Sequence, residues 1–586
     1  MKFWMTRLAF VAAFGLAIAG CNKKEEAPAG EKAEGATAEG AEAPKAADMP
    51  AFVDYIPADT PYVIAGLKPT PAALATKFFD ALDPMLAQLQ GELKKELANL
   101  GEAATEQDKL GKAILEELDG KLNAKGLESL GISTTPTYAF YGIGLMPVVR
   151  VELKDPKALE AAIGRVEAKA GVKAPKLKTG DLEYYGHAED GLRMVVAIKG
   201  KELIFAMTPD AMAETTVPMI LGAKKPEKSI KDSGALTDLA KANGYLGYGL
   251  GYVDNMNITE TLLGEGKGIN AQVLAEMQKA GAGIGTVDDT CKAEIKGLAG
   301  IAPRIVFGSK EVTDKLWVTH FLVEMRDDIA KDLSGLAAPV PGLGADTASL
   351  LSFGFGLDVG KTLDFAKKKV AAIKGAPYKC ALLTDLNQGA TEMEAGLQQP
   401  LPPFVTQIKG LFVNVKAADT STMPPKDIKA IAVLAADKPA DLFAMAKGMV
   451  PPLASINLTA DGKPLALPAA ELGIPPFVQA PHAAMTEAGI AISVGAGEEK
   501  NLGAALSAKG ATPAPLVSFG YDVGEFMGAV NKQTQAAMAG LPEEFRKQQE
   551  AQMKSTMEFA KVFGVVSSNV TLGAKGLVIE QRLHIK

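Results

Sequence analysis

Val149-Arg150-Val151-Glu152-Leu153, followed by Asp155-Pro156 and a helix-forming run through about Glu167, is the stretch that decides the fold. The five residues read as a strand, and the proline marks a helix start, where its missing N–H has no helical partner to lose. Much later the same order returns: Ala430-Ile431-Ala432-Val433-Leu434 precedes Asp437-Lys438-Pro439 and a helix through Met445.

Two further marks recur outward from this stretch. Ala58-Asp59-Thr60-Pro61-Tyr62 opens a strand that runs into the helix start Pro69-Thr70-Pro71, and Ala345-Asp346-Thr347 opens another, Leu350 to Leu357, before a helix from about Lys361. Each half closes on a predicted hairpin: Arg304 to Phe307 with Leu316 to Val323, and Gly564 to Leu572 with Leu577 to Ile585. A repeat of such long period means two related domains and not a solenoid. Met194 to Ile198 and Leu203 to Met207 flank Lys199-Gly200-Lys201-Glu202 as a hairpin, with Ile490 to Val494 its counterpart. Helical periodicity is strongest from Ala72 to about Leu122, from just after Cys380 to Leu397, and from Pro542 to Phe563. Helices among groups of strands on short turns predict an α+β protein of mainly antiparallel sheet, two related domains from an internal duplication. The Pro- and Gly-rich stretch Leu336 to Gly344 is the expected linker, giving domains 51–335 and 336–586.

Ahead of this body stands a segment of another kind. Lys2 and Arg7 lead into the apolar run Leu8 to Ala19, too short to cross a bilayer as a helix, and then into Ile18-Ala19-Gly20-Cys21. These four residues resemble the lipobox of bacterial lipoproteins. The resemblance implies a signal peptide over 1–20, cleavage before Cys21 and acylation (palmitate-type chains) on that cysteine. One chain holds a protein to a membrane only marginally, whereas several anchor it stably. Asn22 stands where the inner-membrane retention signal is Asp, which points to the outer membrane, facing the periplasm. Residues 21–50, rich in Ala, Glu, Gly, Lys and Pro, cannot bury enough surface to offset their ordering entropy. They predict a flexible tether of about 30 Å root-mean-square reach. The opening Pro57-Ala58-Asp59-Thr60-Pro61 also resembles uncharacterised Gram-negative lipoproteins, a likeness that carries no activity with it.

Composition bounds the function. A length of 586 residues exceeds one core, and a net charge of −7 offers no basic face for phosphates, which excludes nucleic acid as a partner. Export places Cys291 and Cys380 where thiols oxidise, so they are expected to pair; closing a loop of about 90 residues stabilises by roughly 4–5 kcal/mol in the chain-entropy model. Lying on opposite sides of the linker, they would staple the two halves. No Cys-x-x-Cys is present, so the pair is read as structural.

No catalytic, cofactor or metal motif stands out. Gly354-Phe355-Gly356-Leu357-Asp358-Val359-Gly360-Lys361-Thr362 sits between a strand and a helix, where glycine loops cradle phosphates. A P-loop needs glycine at 355, which is Phe, and a dinucleotide loop needs one at 359, which is Val. The twin Val517-Ser518-Phe519-Gly520, followed by Asp522-Val523-Gly524-Glu525, replaces the lysine by Glu, so Asp358 and Asp522 read as helix caps. Gly264-Glu265-Gly266-Lys267-Gly268 reads as a loop. His187, His320, His482 and His584 are scattered without metal-ligand spacing, and Ser352 and Ser518 have no adjacent base. The neighbouring acids Asp288-Asp289 and Asp327-Asp328 diverge in any regular structure. Met553 and Met557 share a helix face and read as core, with an apolar groove the functional alternative. The expectation is an outer-membrane-anchored lipoprotein with a periplasmic binding or scaffolding role and no evident catalysis. Its alternatives are a carrier or chaperone for lipid or unfolded clients, and an envelope hydrolase with a dispersed site. The expected partners are the membrane through Cys21 and an envelope protein or apolar ligand.

Overall fold

The computed structural model describes residues 43–99, 105–279, 287–346, 349–402, 404–422, 424–538 and 542–586. The signal segment, Cys21 and Thr347 lie outside them. The chain is α+β and divides into two compact units, one of residues up to Val287 with Arg304–Thr319, the other of Asp288–Pro303 with His320–Lys586. The stretch Leu336 to Gly344 docks inside the second unit: Ala338 N–H donates to Gly356 O at 3.3 Å, and Asp358 N–H to Leu336 O at 2.7 Å.

The first unit carries strands β1 (Tyr62–Gly66), β2 (Tyr138–Ile143), β3 (Met146–Glu152), β4 (Lys176–Thr179), β5 (Leu182–Glu189), β6 (Leu192–Lys199), β7 (Glu202–Pro209), β8 (Leu250–Asp254) and β9 (Arg304–Val312). β10 (Leu316–Glu324) follows as the other arm of the predicted hairpin, and the division between units falls within it. Pairing runs β4–β5–β6–β7–β3–β2–β1–β8–β9–β10 and is antiparallel at each described register. The quoted stretch forms β3 and a helix over Pro156–Ala170, with Asp155 accepting from Lys157 N–H (3.0 Å) and Ala158 N–H (3.3 Å) as its cap. One face of the sheet is fully packed: Val63, Ala65, Ala139, Tyr141, Ile143, Val148 and Ile204 are shut from solvent, and each large apolar side chain so buried contributes about 1.5–3 kcal/mol.

Arg150 belongs to that packed face. Its Nη1 lies 2.5 Å from Glu202 Oε2, its Nε donates to the Tyr141 hydroxyl at 3.1 Å, and its Nη2 donates to Ile220 O at 2.6 Å. The guanidinium also lies 4.5 Å from the Tyr55 ring centroid. A buried cation is tolerable only when so fully paired, and here the pairing ties β2, β3, β7 and the helix Ala213–Ile220 together.

The second unit carries β11 (Leu351–Gly356), β12 (Ile408–Asp419), β13 (Lys426–Ala436), β14 (Leu465–Ala466), β15 (His482–Thr486), β16 (Gly489–Val494), β17 (Pro515–Asp522), β18 (Phe563–Gly573) and β19 (Gly576–Ile585). Its antiparallel order is β14–β15–β16–β13–β12–β11–β17–β18–β19. Two runs of eight strands therefore pair in one order: β6–β7–β3–β2–β1–β8–β9–β10 matches β15–β16–β13–β12–β11–β17–β18–β19, with β10 shared across the division. Helices follow the same strands, Asn255–Leu262 after β8 and Val523–Met538 after β17, each with an aspartate at the junction. The expected helices form over Ala72–Asn99, Glu106–Leu118, Thr384–Leu397 and Glu543–Ala560.

Candidate functional site

Cys291 and Cys380 are bonded, with S–S 2.06 Å and Cα–Cα 4.5 Å, and both are buried. Both lie in the second unit, so the bridge closes a loop within it and does not staple two halves. The reason is that the helix Asp289–Ala299 packs with the second unit although it precedes β9 in the chain. Asp288 caps this helix through Cys291 N–H (2.8 Å), and Glu294 accepts from Lys379 N–H and Cys380 N–H, each at 2.9 Å.

The glycine-rich stretch after β11 is structural. Asp358 accepts from Lys361 N–H at 3.0 Å and caps the helix Val359–Gly375; Asp522 accepts from Glu525 N–H at 3.0 Å in its twin. Burial would raise the Asp358 pKa, but the Lys361 N–H and the Lys409 ammonium, 3.0 Å away, outweigh it and hold the carboxyl below its ordinary range. Gly354 faces a neighbouring strand, where a Cβ would stand 2.4 Å from Leu411 O. Backbone approach accounts for this glycine without a phosphate.

The four histidines sit on separate strands, β5, β10, β15 and β19, and among the described residues no three His, Cys, Asp or Glu converge as a metal site. Asp288 caps a helix while Asp328 pairs with Arg326 at 2.6 Å, a hydrogen bond that lowers its pKa. Ser352 donates to Gly520 O at 3.3 Å inside the packed face. Gly264 and Gly268 lie in the loop joining the helices Asn255–Leu262 and Ile269–Lys279, both with positive φ. Met553 and Met557 lie half-buried on Glu543–Ala560.

One convergence was not legible in the sequence. Ser567 Oγ donates to Asp346 Oδ1 at 2.7 Å, while Arg582 Nη1 and His584 Nε2 stand 3.6 and 3.7 Å from Asp346 Oδ2. The residue types are those of a hydrolase, but the order is not. The hydroxyl donates its hydrogen bond to the carboxylate and not to the imidazole, so His584 is not placed as the base of Ser567. The cluster ties the Asp346 segment to β18 and β19.

The other face of the second unit's sheet is apolar and partly open to solvent. Leu351-Ser352-Phe353-Gly354-Phe355-Gly356 alternates large and small, and a strand sends alternate side chains to opposite faces. The small residues enter the packed face; Phe353 and Phe355 face outward. Direct cross-strand partners then build a row Phe519–Phe353–Val413–Ala432–Ile492 and beside it a row Val517–Phe355–Leu411–Leu434–Ile490. Phe353 keeps 43% of its surface exposed and Phe519 39%. Tyr521 continues the aromatic strip, with ring centroids 5.5 Å from Phe519 and 5.1 Å from Phe526. Neither row contains a titratable side chain, so the rows offer apolar and π contact. The first unit has a smaller equivalent, where Tyr62 stacks on exposed Phe140 at 5.3 Å. Burial pushes the Tyr62 phenol up to about 12, so it stays neutral. Among the described residues no helix is long and apolar enough to cross a membrane. Compared with family models, curated proteins and solved structures, the chain matches none.

Proposed function

We propose that this chain is a lipoprotein anchored in the outer membrane through Cys21, whose body binds or scaffolds envelope partners through apolar surface, and that its two units descend from one duplicated α+β domain. The lipobox and the tether sequence support the anchor. The common strand order, with three sequence marks recurring in register with it, supports the duplication. The observation that carries the binding role is the pair of apolar rows through Phe353 and Phe355, which hold aromatic surface in water at a cost that a binding partner would relieve. The same rows favour the carrier of apolar ligands as second reading. For the hydrolase, the nearest arrangement is the Asp346 cluster, in which the Ser567 hydroxyl bonds the carboxylate and not His584.

Titration with the lipophilic dye 1-N-phenylnaphthylamine tests the sheet face. Phe353→Ser/Phe519→Ser is expected to weaken dye binding about fivefold or more, since aromatic anchors dominate such surfaces. Unchanged binding would remove the face from the account. Native mass spectrometry with lipid extraction separates the two readings: a stoichiometric lipid adduct favours the carrier, a bare chain the scaffold. Cys21→Ala should move the protein to the soluble fraction, and continued pelleting with membranes would overturn the anchor.

A further inference from the structure

We infer that the outward side of the helix Thr384–Leu397 is a docking seam for a basic amphipathic helix of a partner protein. This goes beyond the sheet-face reading and does not rest on it. On the helix, Leu386, Gly389, Met393 and Gly396 follow one another at spacings of three, four and three, the alternation that keeps a seam facing a second helix, and Leu382 adds apolar surface from the short 3-10 turn Ala381–Leu383 just before it. Leu382 is 61% exposed, Leu386 42% and Met393 53%. The helix buries a different strip, that of Ala390, and pairs Glu394 with Lys374 of the helix Val359–Gly375. Its apolar face is thus wider than its own packing uses.

The glycines point the same way. Glycine weakens a helix interior, yet nothing lies within 4 Å of a Cβ built on Gly389 or Gly396, so no internal contact requires them. A missing side chain on an exposed seam lets another helix backbone come close. Charge selects the occupant. Thr384–Leu397 contains no Lys or Arg, and Asp385 and Glu392, beside the seam, take part in no ion pair among the described residues. Like charges would oppose a second copy, whereas Lys or Arg flanking a partner's seam would be complementary. The helix is also held in place: Asn387 bonds Tyr378 N–H (2.9 Å) and Tyr378 O (2.8 Å), next to the bridged Cys380. A platform fixed beforehand loses little freedom on binding.

The probe is a labelled peptide of about three heptads with Leu at a and d and Lys at e and g, titrated onto the full chain by fluorescence anisotropy. Saturable binding is expected, weakened about tenfold or more when Glu replaces the peptide's Lys and again by Leu386→Gln/Met393→Gln. Asp385→Lys/Glu392→Lys should reverse the preference towards the Glu peptide. No saturable binding overturns the seam, as does equal binding of a scrambled Lys peptide or indifference to Leu386→Gln/Met393→Gln. Should that variant fail to fold, the charge-reversal pair on the exposed rim decides alone.

Discussion

The two units share a strand order and fill it differently. The largest fully buried side chains, Arg150, Tyr141, Tyr245, Phe52 and Phe79 among them, all belong to the first unit. In the second unit the packed face sets small residues, Ser352, Gly354, Ser493, Ser518, Gly520 and Ser567, beside a core of Phe412, Ile431 and Val433, while Phe353, Phe355 and Phe519 stay partly in water. Ser493 Oγ and Asn414 Oδ1 are buried there without a hydrogen-bond partner, each unmade bond costing about 1–3 kcal/mol. One topology thus supports a stable scaffold in the first unit and an outward-facing apolar surface in the second. The difference is one of side-chain placement: the first unit turns its largest side chains inward, and the second leaves three phenylalanines on its open face.

The largest test of this contrast is Arg150→Met. It leaves the Glu202 carboxylate and the Tyr141 hydroxyl without their partner in the packed face, and should lower the first unit's stability by about 3–5 kcal/mol in urea unfolding. Phe353→Ala, on the open face, should change stability by less than about 1 kcal/mol. Equal losses would break the comparison.

Cys291→Ser/Cys380→Ser comes next. The bridge spans a sequence separation of 89, and its loss should cost about 2–5 kcal/mol, confined to the second unit's unfolding transition. A fall in the first unit's transition instead would show that the bridge acts across the division. Mass mapping without reductant should find the two cysteines joined.

Acid sharpens the picture in the first unit. Hydrogen bonds from Arg165, then Lys121, outweigh the effect of burial and lower the Glu117 pKa to about 2. A carboxyl depressed in the folded state contributes stability above its unfolded value, near 4.5, and that stability is lost as pH falls from there towards 2. The loss should be about 1–2 kcal/mol, because Arg165 and Lys169 remain partly in water. Glu117→Gln should flatten this dependence between about pH 5 and about pH 2.5; an unchanged slope would assign the acid sensitivity elsewhere.

The smallest effect is at Gly389. Gly389→Ala should raise thermal stability by about 0.5–1 kcal/mol, since the new Cβ meets nothing. A destabilised variant would mean the position is constrained from within the chain.

Much of this architecture is legible in particular residues. Asp155-Pro156 marks a helix start, Lys199-Gly200-Lys201-Glu202 a hairpin turn and Asp358 a cap, because each acts within a few residues of itself. The Asp346 cluster is not legible: Ser567, Arg582 and His584 lie more than two hundred residues from Asp346, with no spacing to betray them. The apolar rows are half legible. Phe353-Gly354-Phe355-Gly356 announces two unlike faces, but not which one is covered.

Sequence alone determined the α+β class, the recurring strand-to-helix junctions and hairpins and the cysteines available to pair, because period, turn chemistry and capping are local properties of the chain. Tertiary structure alone decided that Cys291 joins its partner within the second unit, that Arg150 is buried among four partners, and that the second sheet turns its phenylalanines outward. The physical reason is that alternation divides a strand into two faces, and only elements distant in sequence, by packing on one of them, choose which becomes the core.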